Sequence, residues 1–393
     1  MQETPKSMRK HITIFGDTNS GKSTLFNALI GQDISIVSDI RGTTTDPIEK
    51  TIELLPYGPV TIIDTAGLRD DTPLGKQRMS KTLKLLNRTD LIIYVLSPEG
   101  NLNIDILDKK IPYIVVCTKA EMATTATIKI LKERYDNISF LRLGDEGDLL
   151  EFKQKVIKEL EKQKPENNSI IKRIVPKYGK VLMVIPIDGQ APDGRLILPQ
   201  VQLMRECLDN EICVFLTRET TLKKSVSEIK DIDLVVTDSQ IFDYVSKNIP
   251  KNLNLTSFSM LLARKNGNFN QLLYGINAIK SLKDDDKILI MEGCTHNRNH
   301  EDIARVKIPT KLSKITGKKL KYDFCSGYDF PENIEQYSFA IQCGMCMINK
   351  QEIQSRLKIM DERKVPVTNF GIILAYFAGT LDRAVEVFKN EKI

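Results

Sequence analysis

Short apolar runs bounded by polar or turn-forming residues recur along the chain, and their spacing alternates between strand-like and helix-like periods. Residues 11–15 read as a buried strand, and residues 24–30 carry apolar positions at helical spacing. Residues 60–63, 91–96 and 111–117 are further buried-strand runs, and 152–161 has the pattern of a closing amphipathic helix. Strands alternating with helices predict an α/β domain on a mostly parallel sheet over residues 1–163. The polar, turn-rich stretch 162–169 then breaks the pattern as a linker. A second α/β pattern follows over 171–262, with strands at 181–186, 213–216 and 234–237 and a helix around 203–208. A third domain, 263–393, opens with a helix-like stretch at 269–282 and a strand at 287–291.

Composition narrows the function classes. A chain of 393 residues has room for two or three domains, and 41% hydrophobic content supports ordinary globular cores. No apolar run approaches the roughly 18 residues of a membrane-spanning helix. The first ten residues are polar and lack an apolar signal region, so the expected location is the cytoplasm, with no membrane contact. The net charge of +6 comes from lysines dispersed among acidic residues; it permits acidic partners, but without a basic, aromatic-rich patch nucleic acid is not expected. Seven cysteines, an odd number, argue against a disulfide framework in such a compartment.

The sharpest chemistry lies after the first strand. Gly16-Asp17-Thr18-Asn19-Ser20-Gly21-Lys22-Ser23 reads G-x-x-x-x-G-K-S between a strand and a helix. Glycines there let backbone N–H groups turn inward around phosphate oxygens, and the helix start adds the positive end of its dipole. Gly16, Asn19, Ser20, Gly21, Lys22, Ser23 and Thr24 are therefore the candidate phosphate-binding residues. Lys22 would reach the β- and γ-phosphates, and Ser23 would ligate Mg²⁺. Thr44, within the polar stretch 41–46, is the candidate that closes on Mg²⁺ and the γ-phosphate. Asp64-Thr65-Ala66-Gly67 ends a strand: Asp64 can hold Mg²⁺ through water, and the Gly67 N–H can bond the γ-phosphate and lose it on hydrolysis. After the strand at 111–117 comes Thr118-Lys119-Ala120-Glu121, where Lys119 can pack over a base and Glu121 can accept from guanine N1–H and N2–H₂.

A second chemistry lies near the other end. Cys294 and His296 follow a strand, and Cys343-Gly344-Met345-Cys346 forms a C-x-x-C. Spacing alone leaves three readings open: an iron–sulfur cluster on three thiolates, a zinc site with His296 as fourth ligand, or structural or redox thiols. Cys207 and Cys213 read as small buried apolar residues, and Cys325 stands outside the ligand pattern.

The stretches at 16–23, 41–46 and 64–68 resemble the TRAFAC-class GTPases, in the tRNA-modification (TrmE-like) and Era-like branch. That resemblance implies GTP with Mg²⁺, and catalytic roles for Lys22, Asn19 and Thr44. Asn19 matches the asparagine that helps bind K⁺ in place of an arginine finger. Leu68 stands where Ras-like chains carry glutamine, so the implied hydrolysis is slow and K⁺-stimulated. The stretches 188–200 and 233–240, the pattern Cys294-x-His296 followed by Cys343-x-x-Cys346, and 305–309 resemble the maturation GTPases of iron-only hydrogenases. By that resemblance the chain is a P-loop GTPase domain followed by a small α/β dimerisation domain and a C-terminal α/β iron–sulfur domain. It implies a 4Fe–4S cluster on Cys294, Cys343 and Cys346. Gln342 replaces the family's second histidine, leaving His296, His300, Glu301 and Asp302 as candidates for the fourth position. It also implies a homodimer that takes a di-iron precursor from two radical-SAM maturases to apo iron-only hydrogenase. The competing expectation is a regulatory or RNA-associated GTPase with a structural zinc site.

Overall fold

A computed structural model of the chain describes residues 4–31, 47–65, 82–100, 111–163, 169–187, 196–266, 268–293 and 303–389. It divides into two compact units, residues 1–166 with 349–355, and residues 167–348 with 356–393.

The first unit runs β1 (Lys10–Gly16), α1 (Lys22–Ile30), β2 (Ile48–Leu54), β3 (Gly58–Asp64), β4 (Leu91–Leu96), β5 (Tyr113–Cys117), α2 (Thr125–Arg134), β6 (Ile138–Phe140) and α3 (Glu146–Lys162). Its sheet has the order β2-β3-β1-β4-β5-β6. All neighbours are parallel except β2, which pairs antiparallel with β3. Strands covered on both faces read as continuous apolar runs. β4 is such a strand, with every residue buried, and so is β1 from His11 to Gly16. α3 buries Phe152, Val156 and Leu160, a single stripe at i, i+4, i+8, against Leu25, Phe26 and Leu29 of α1. Asp145 caps α3 by accepting from the Asp148 N–H.

The second unit begins with β7 (Lys180–Val184), α4 (Leu198–Asp209), β8 (Cys213–Thr217), α5 (Leu222–Glu228), β9 (Leu234–Thr237), α6 (Phe242–Asn248), β10 (Leu255–Ser257) and α7 (Phe258–Asn266). It continues with α8 (Phe269–Gly275), β11 (Lys287–Glu292), α9 (Ile308–Thr316), β12 (Lys321–Ser326), β13 (Phe339–Gln342), α10 (Lys350–Glu362), β14 (Val367–Asn369), α11 (Phe370–Phe377) and α12 (Leu381–Val385). Two four-stranded parallel sheets result, ordered β10-β9-β7-β8 and β12-β11-β13-β14. Counted from its own first strand, each sheet has the same order, second-first-third-fourth. The last strands even share a sequence pattern, Leu255-Thr256-Ser257-Phe258 against Val367-Thr368-Asn369-Phe370.

One helix crosses between the two sheets. α8 packs on β14, so closely that a Cβ on Gly275 would collide with the Val367 carbonyl. α12 instead packs on β10 of the preceding sheet. Its Arg383 guanidinium donates to the carbonyls of Ser246, Pro250 and Leu253 at 2.7, 2.6 and 3.3 Å. Phe269 of α8 and Phe388 beyond α12 meet with ring centroids 4.7 Å apart. The carboxyl ends of β10 and β14 therefore face each other, with Asn369 Nδ2 donating to the Ser259 carbonyl at 3.2 Å.

Two expectations need correction. The helix expected over 269–282 stops at Gly275, and residues 276–281 continue as 3₁₀ turns. Cys213, expected to be buried, is exposed because it opens β8 at a sheet edge, whereas Cys207 on α4 is fully buried. Among the described residues no helix is long and apolar enough to cross a membrane.

Candidate nucleotide and metal sites

The phosphate loop is the connection from β1 to α1. Gly16, at φ +151°, sits where a Cβ would strike the Val95 carbonyl of neighbouring β4. Gly21, at φ +90°, would bring a Cβ within 2.9 Å of Thr118 Oγ1. Both positions need glycine, so the loop can close tightly at the carboxyl end of the sheet. Asn19 also has a left-handed backbone, φ +61°, and its side chain is exposed at the loop's outer edge.

Lys22, the first residue of α1, is buried, and its Nζ donates to the Asp17 carbonyl at 2.6 Å. Loss of hydration lowers its pKa to about 8, against the opposing charges of Asp64 and Asp17. The Ser20 Oγ is buried without a hydrogen-bond partner. A desolvated cation and an orphaned hydroxyl in a glycine-closed loop fit a phosphate group. Beside them Ser23 Oγ donates to Asp64 Oδ2 at 2.8 Å. Two of the three residues read from sequence as Mg²⁺-directed thus meet across the gap between α1 and the end of β3. Thr65 anchors that strand end, its hydroxyl donating to the Ile14 carbonyl at 2.7 Å. Thr24 follows on α1, partly buried.

On the base side, Lys119 has φ +56°, and both Lys119 and Glu121 are exposed. Thr118 is fully buried, and its Oγ1 donates to the Ser20 carbonyl at 2.6 Å and lies 3.3 Å from the Leu96 carbonyl. From sequence Thr118 has no assigned role; a hydroxyl at the end of a buried strand run is the signal for a donor. Thr44 and Gly67 lie outside the described residues.

In the second unit, Cys343 directly follows β13. Its Sγ accepts from the N–H groups of Gly293, at 3.0 Å, and Met345, at 3.3 Å. Gly293 is needed there: a Cβ would come within 2.9 Å of Met345 Cα. Met345 takes φ +51°, turning the C-x-x-C back on itself. Burial pushes the Cys343 thiol up, opposed by its two N–H donors, and pushes the Cys346 thiol up to about 12. Burial thus favours the neutral thiol at both positions, and a metal held there would displace the protons. Adjacent thiols with N–H groups directed at sulfur fit a thiolate-held metal centre. Cys294, His296, His300, Glu301 and Asp302 lie outside the described residues. Among the described residues no three His, Cys, Asp or Glu side chains gather as a metal-holding group. Gln342 is buried at the end of β13.

Two neighbours were missed from sequence. Cys325 on β12 is in register with Met291 of β11, and burial pushes its thiol up to about 11, with the Cys343 charge among the further causes. Arg356 on α10 is 1% exposed, and its charge favours the thiolate form of both Cys325 and Cys343. The signal was present: Arg356 falls in register with Ile353 and Met360, on a buried helical face that also carries Glu352.

Residues 11–119 match the 50S ribosome-binding GTPase family, 170–267 the hydrogen maturase F dimerization domain, and 270–387 the hydrogen maturase F tetramerization domain. The chain is similar to the tRNA modification GTPase MnmE of Ehrlichia chaffeensis, 38% identical over 160 residues that cover 38% of this chain and 36% of that protein. It is 33% identical over 178 residues to MnmE of Helicobacter pylori, covering 42% of this chain and 39% of that protein. The chain thus spans little more than a third of the length of these curated relatives. Among solved structures, Aquifex aeolicus Era bound to GDP and aluminium fluoride aligns with a TM-score of 0.35 at 18% identity, covering 53% of this chain and 92% of that one.

A phosphate-loop GTPase domain in front of two α/β domains of matching topology is the class that fold and sites define. Both of the later domains match hydrogen maturase F, and the chain belongs to that family. It accordingly carries domains for self-assembly behind its GTPase domain.

Proposed function

We propose that this chain is a nucleotide-switched scaffold for hydrogenase maturation. It hydrolyses GTP slowly and with K⁺ stimulation, carries a 4Fe–4S cluster, and delivers a di-iron precursor to apo iron-only hydrogenase. Two radical-SAM maturases supply that precursor, and the working form is a cytoplasmic homodimer. The observation that carries this reading is the pairing, on one chain of the hydrogen maturase F family, of the Ser23–Asp64 contact beside a closed phosphate loop with an N–H-supported C-x-x-C.

In this reading the domains span 1–163, 171–262 and 263–393. Lys22 stabilises charge on the transferring phosphoryl group, and Ser23, Thr44 and water-linked Asp64 hold Mg²⁺. Asn19 holds K⁺. Thr44 and Gly67 sense the γ-phosphate, and Lys119 and Glu121 contact guanine. Cys294, Cys343 and Cys346 hold the cluster; its fourth position is displaceable, with His296 the nearest candidate. The exposed edge at Cys213 and Leu216 of β8, with exposed Leu208 nearby in sequence, supports self-association through the middle domain.

The names of the relatives favour one other reading, an RNA-associated GTPase with structural zinc. The test is activation of apo-hydrogenase by the full chain after exposure to both maturases, with Lys22→Ala in parallel. The proposed function requires activation by the parent and loss of GTP hydrolysis in Lys22→Ala. A zinc-bound chain that activates nothing supports the RNA-associated reading.

A further inference from the structure

We propose that Arg356, a residue outside the ligand set, raises the reduction potential of the iron–sulfur centre; this rests on the cluster reading given above.

The geometry is a short relay. Arg356 is the largest fully buried side chain among the described residues. Its Nη2 donates to the Gly327 carbonyl at 2.9 Å, and its guanidinium lies over the Phe330 ring, 5.3 Å from the centroid. Gly327 in turn donates its N–H to the Glu292 carbonyl at 2.9 Å. The next residue, Gly293, donates to Cys343 Sγ at 3.0 Å. The Glu292–Gly293 peptide at the end of β11 thus bonds Cys343 Sγ through its N–H and, through its carbonyl, the residue whose own carbonyl holds the guanidinium. Gly327 and Phe330 fix the fork on the side of β12, and the rigid sheet end fixes the sulfur.

Acids share this corner with the guanidinium: Glu352 is buried one turn earlier on α10. Glu292 is the acid at the same strand end, and its carboxylate has its own cation, Arg305 Nη2 at 3.9 Å. Arg305 is held over the Phe324 ring, 4.3 Å from its centroid. Asp329 is a further acid, whose charge acts on Cys325. The Arg356 guanidinium is a cation. Reduction adds one negative charge to a thiolate-held cluster. A fixed cation in a water-poor surrounding favours that added charge, and so favours the reduced state.

The experiment is a redox titration, followed by EPR, of the full-length parent, Arg356→Gln and Arg356→Lys after anaerobic reconstitution with iron and sulfide. Arg356→Gln should shift the ratio of oxidised to reduced cluster about tenfold toward oxidised at a fixed solution potential, about 59 mV for a one-electron couple. Arg356→Lys should keep the parental potential. A Gln variant that loses its cluster while the Lys variant keeps cluster and potential also supports a requirement for the charge. Equal potentials in parent and Arg356→Gln overturn the proposal while leaving the cluster reading intact. A Lys variant shifted as far as Gln also overturns it, since charge is then not the determinant. A parent that takes up no cluster overturns the cluster reading and this inference with it.

Discussion

The Thr118 hydroxyl donates to the Ser20 carbonyl at 2.6 Å, tying the loop that faces the base to the loop that faces the phosphates. The same side chain packs against Gly21, so the two loops are fastened side by side. Thr118→Val keeps the shape and removes the donor, leaving a buried carbonyl without its partner. The expected cost is about 1–3 kcal/mol of stability, with weaker GTP binding, and Thr118→Ser should recover most of both. Parental melting temperature and GTP affinity in Thr118→Val would show that the bond holds nothing.

Asn19 carries the expectation about monovalent cations. Its left-handed backbone and exposed position place it at the outer edge of the phosphate loop, open to a bound ion. GTP turnover should be severalfold faster in K⁺ than in Na⁺ at equal ionic strength, and Asn19→Ala should remove the difference. Equal parental rates in the two salts would remove the K⁺ role.

His11 gives a pH dependence with a definite sign. It is 2% exposed on β1, and burial first, then the Arg88 charge, lower its pKa from 6.5 to about 4. Between those values the unfolded chain binds a proton that the folded chain refuses. Its contribution is therefore full above pH 6.5 and is lost as pH falls toward 4, an effect of up to about 3 kcal/mol. Urea unfolding from pH 7 to 4 should show a shallower loss of stability in His11→Gln than in the parent. Parallel curves would mean that His11 titrates normally in the folded state.

The parts legible in the sequence were those where one physical requirement dominates. β1, β4 and β5 are covered on both faces, so their runs are unbroken, and the phosphate loop needs glycine at Gly16 and Gly21 for steric reasons now visible as contacts with Val95 and Thr118. β10 and β14 were not legible because three residues are too few to show alternation. β2 was missed because Ile48-Glu49-Lys50-Thr51-Ile52-Glu53-Leu54 is an edge strand with most positions exposed or half-buried. The matching order of the second and third sheets, and the packing of α12 on β10, arise from long-range contacts that no local window contains. The setting of Arg356 was hidden for a related reason: Gly327 and Phe330, which hold its guanidinium, lie far from it in sequence.

The central claim is that the C-terminal thiols hold iron and sulfide. The most direct measurement is the iron content and EPR spectrum of the anaerobically reconstituted full chain beside Cys343→Ala and His296→Ala. Thiolates hold iron far more firmly than a neutral or carboxylate ligand, so the parent should show a 4Fe–4S cluster and Cys343→Ala should lose it. His296→Ala should keep the iron with an altered EPR spectrum, since the fourth position is displaceable. A colourless parent holding stoichiometric zinc, or a Cys343→Ala variant with the full cluster, would contradict the account.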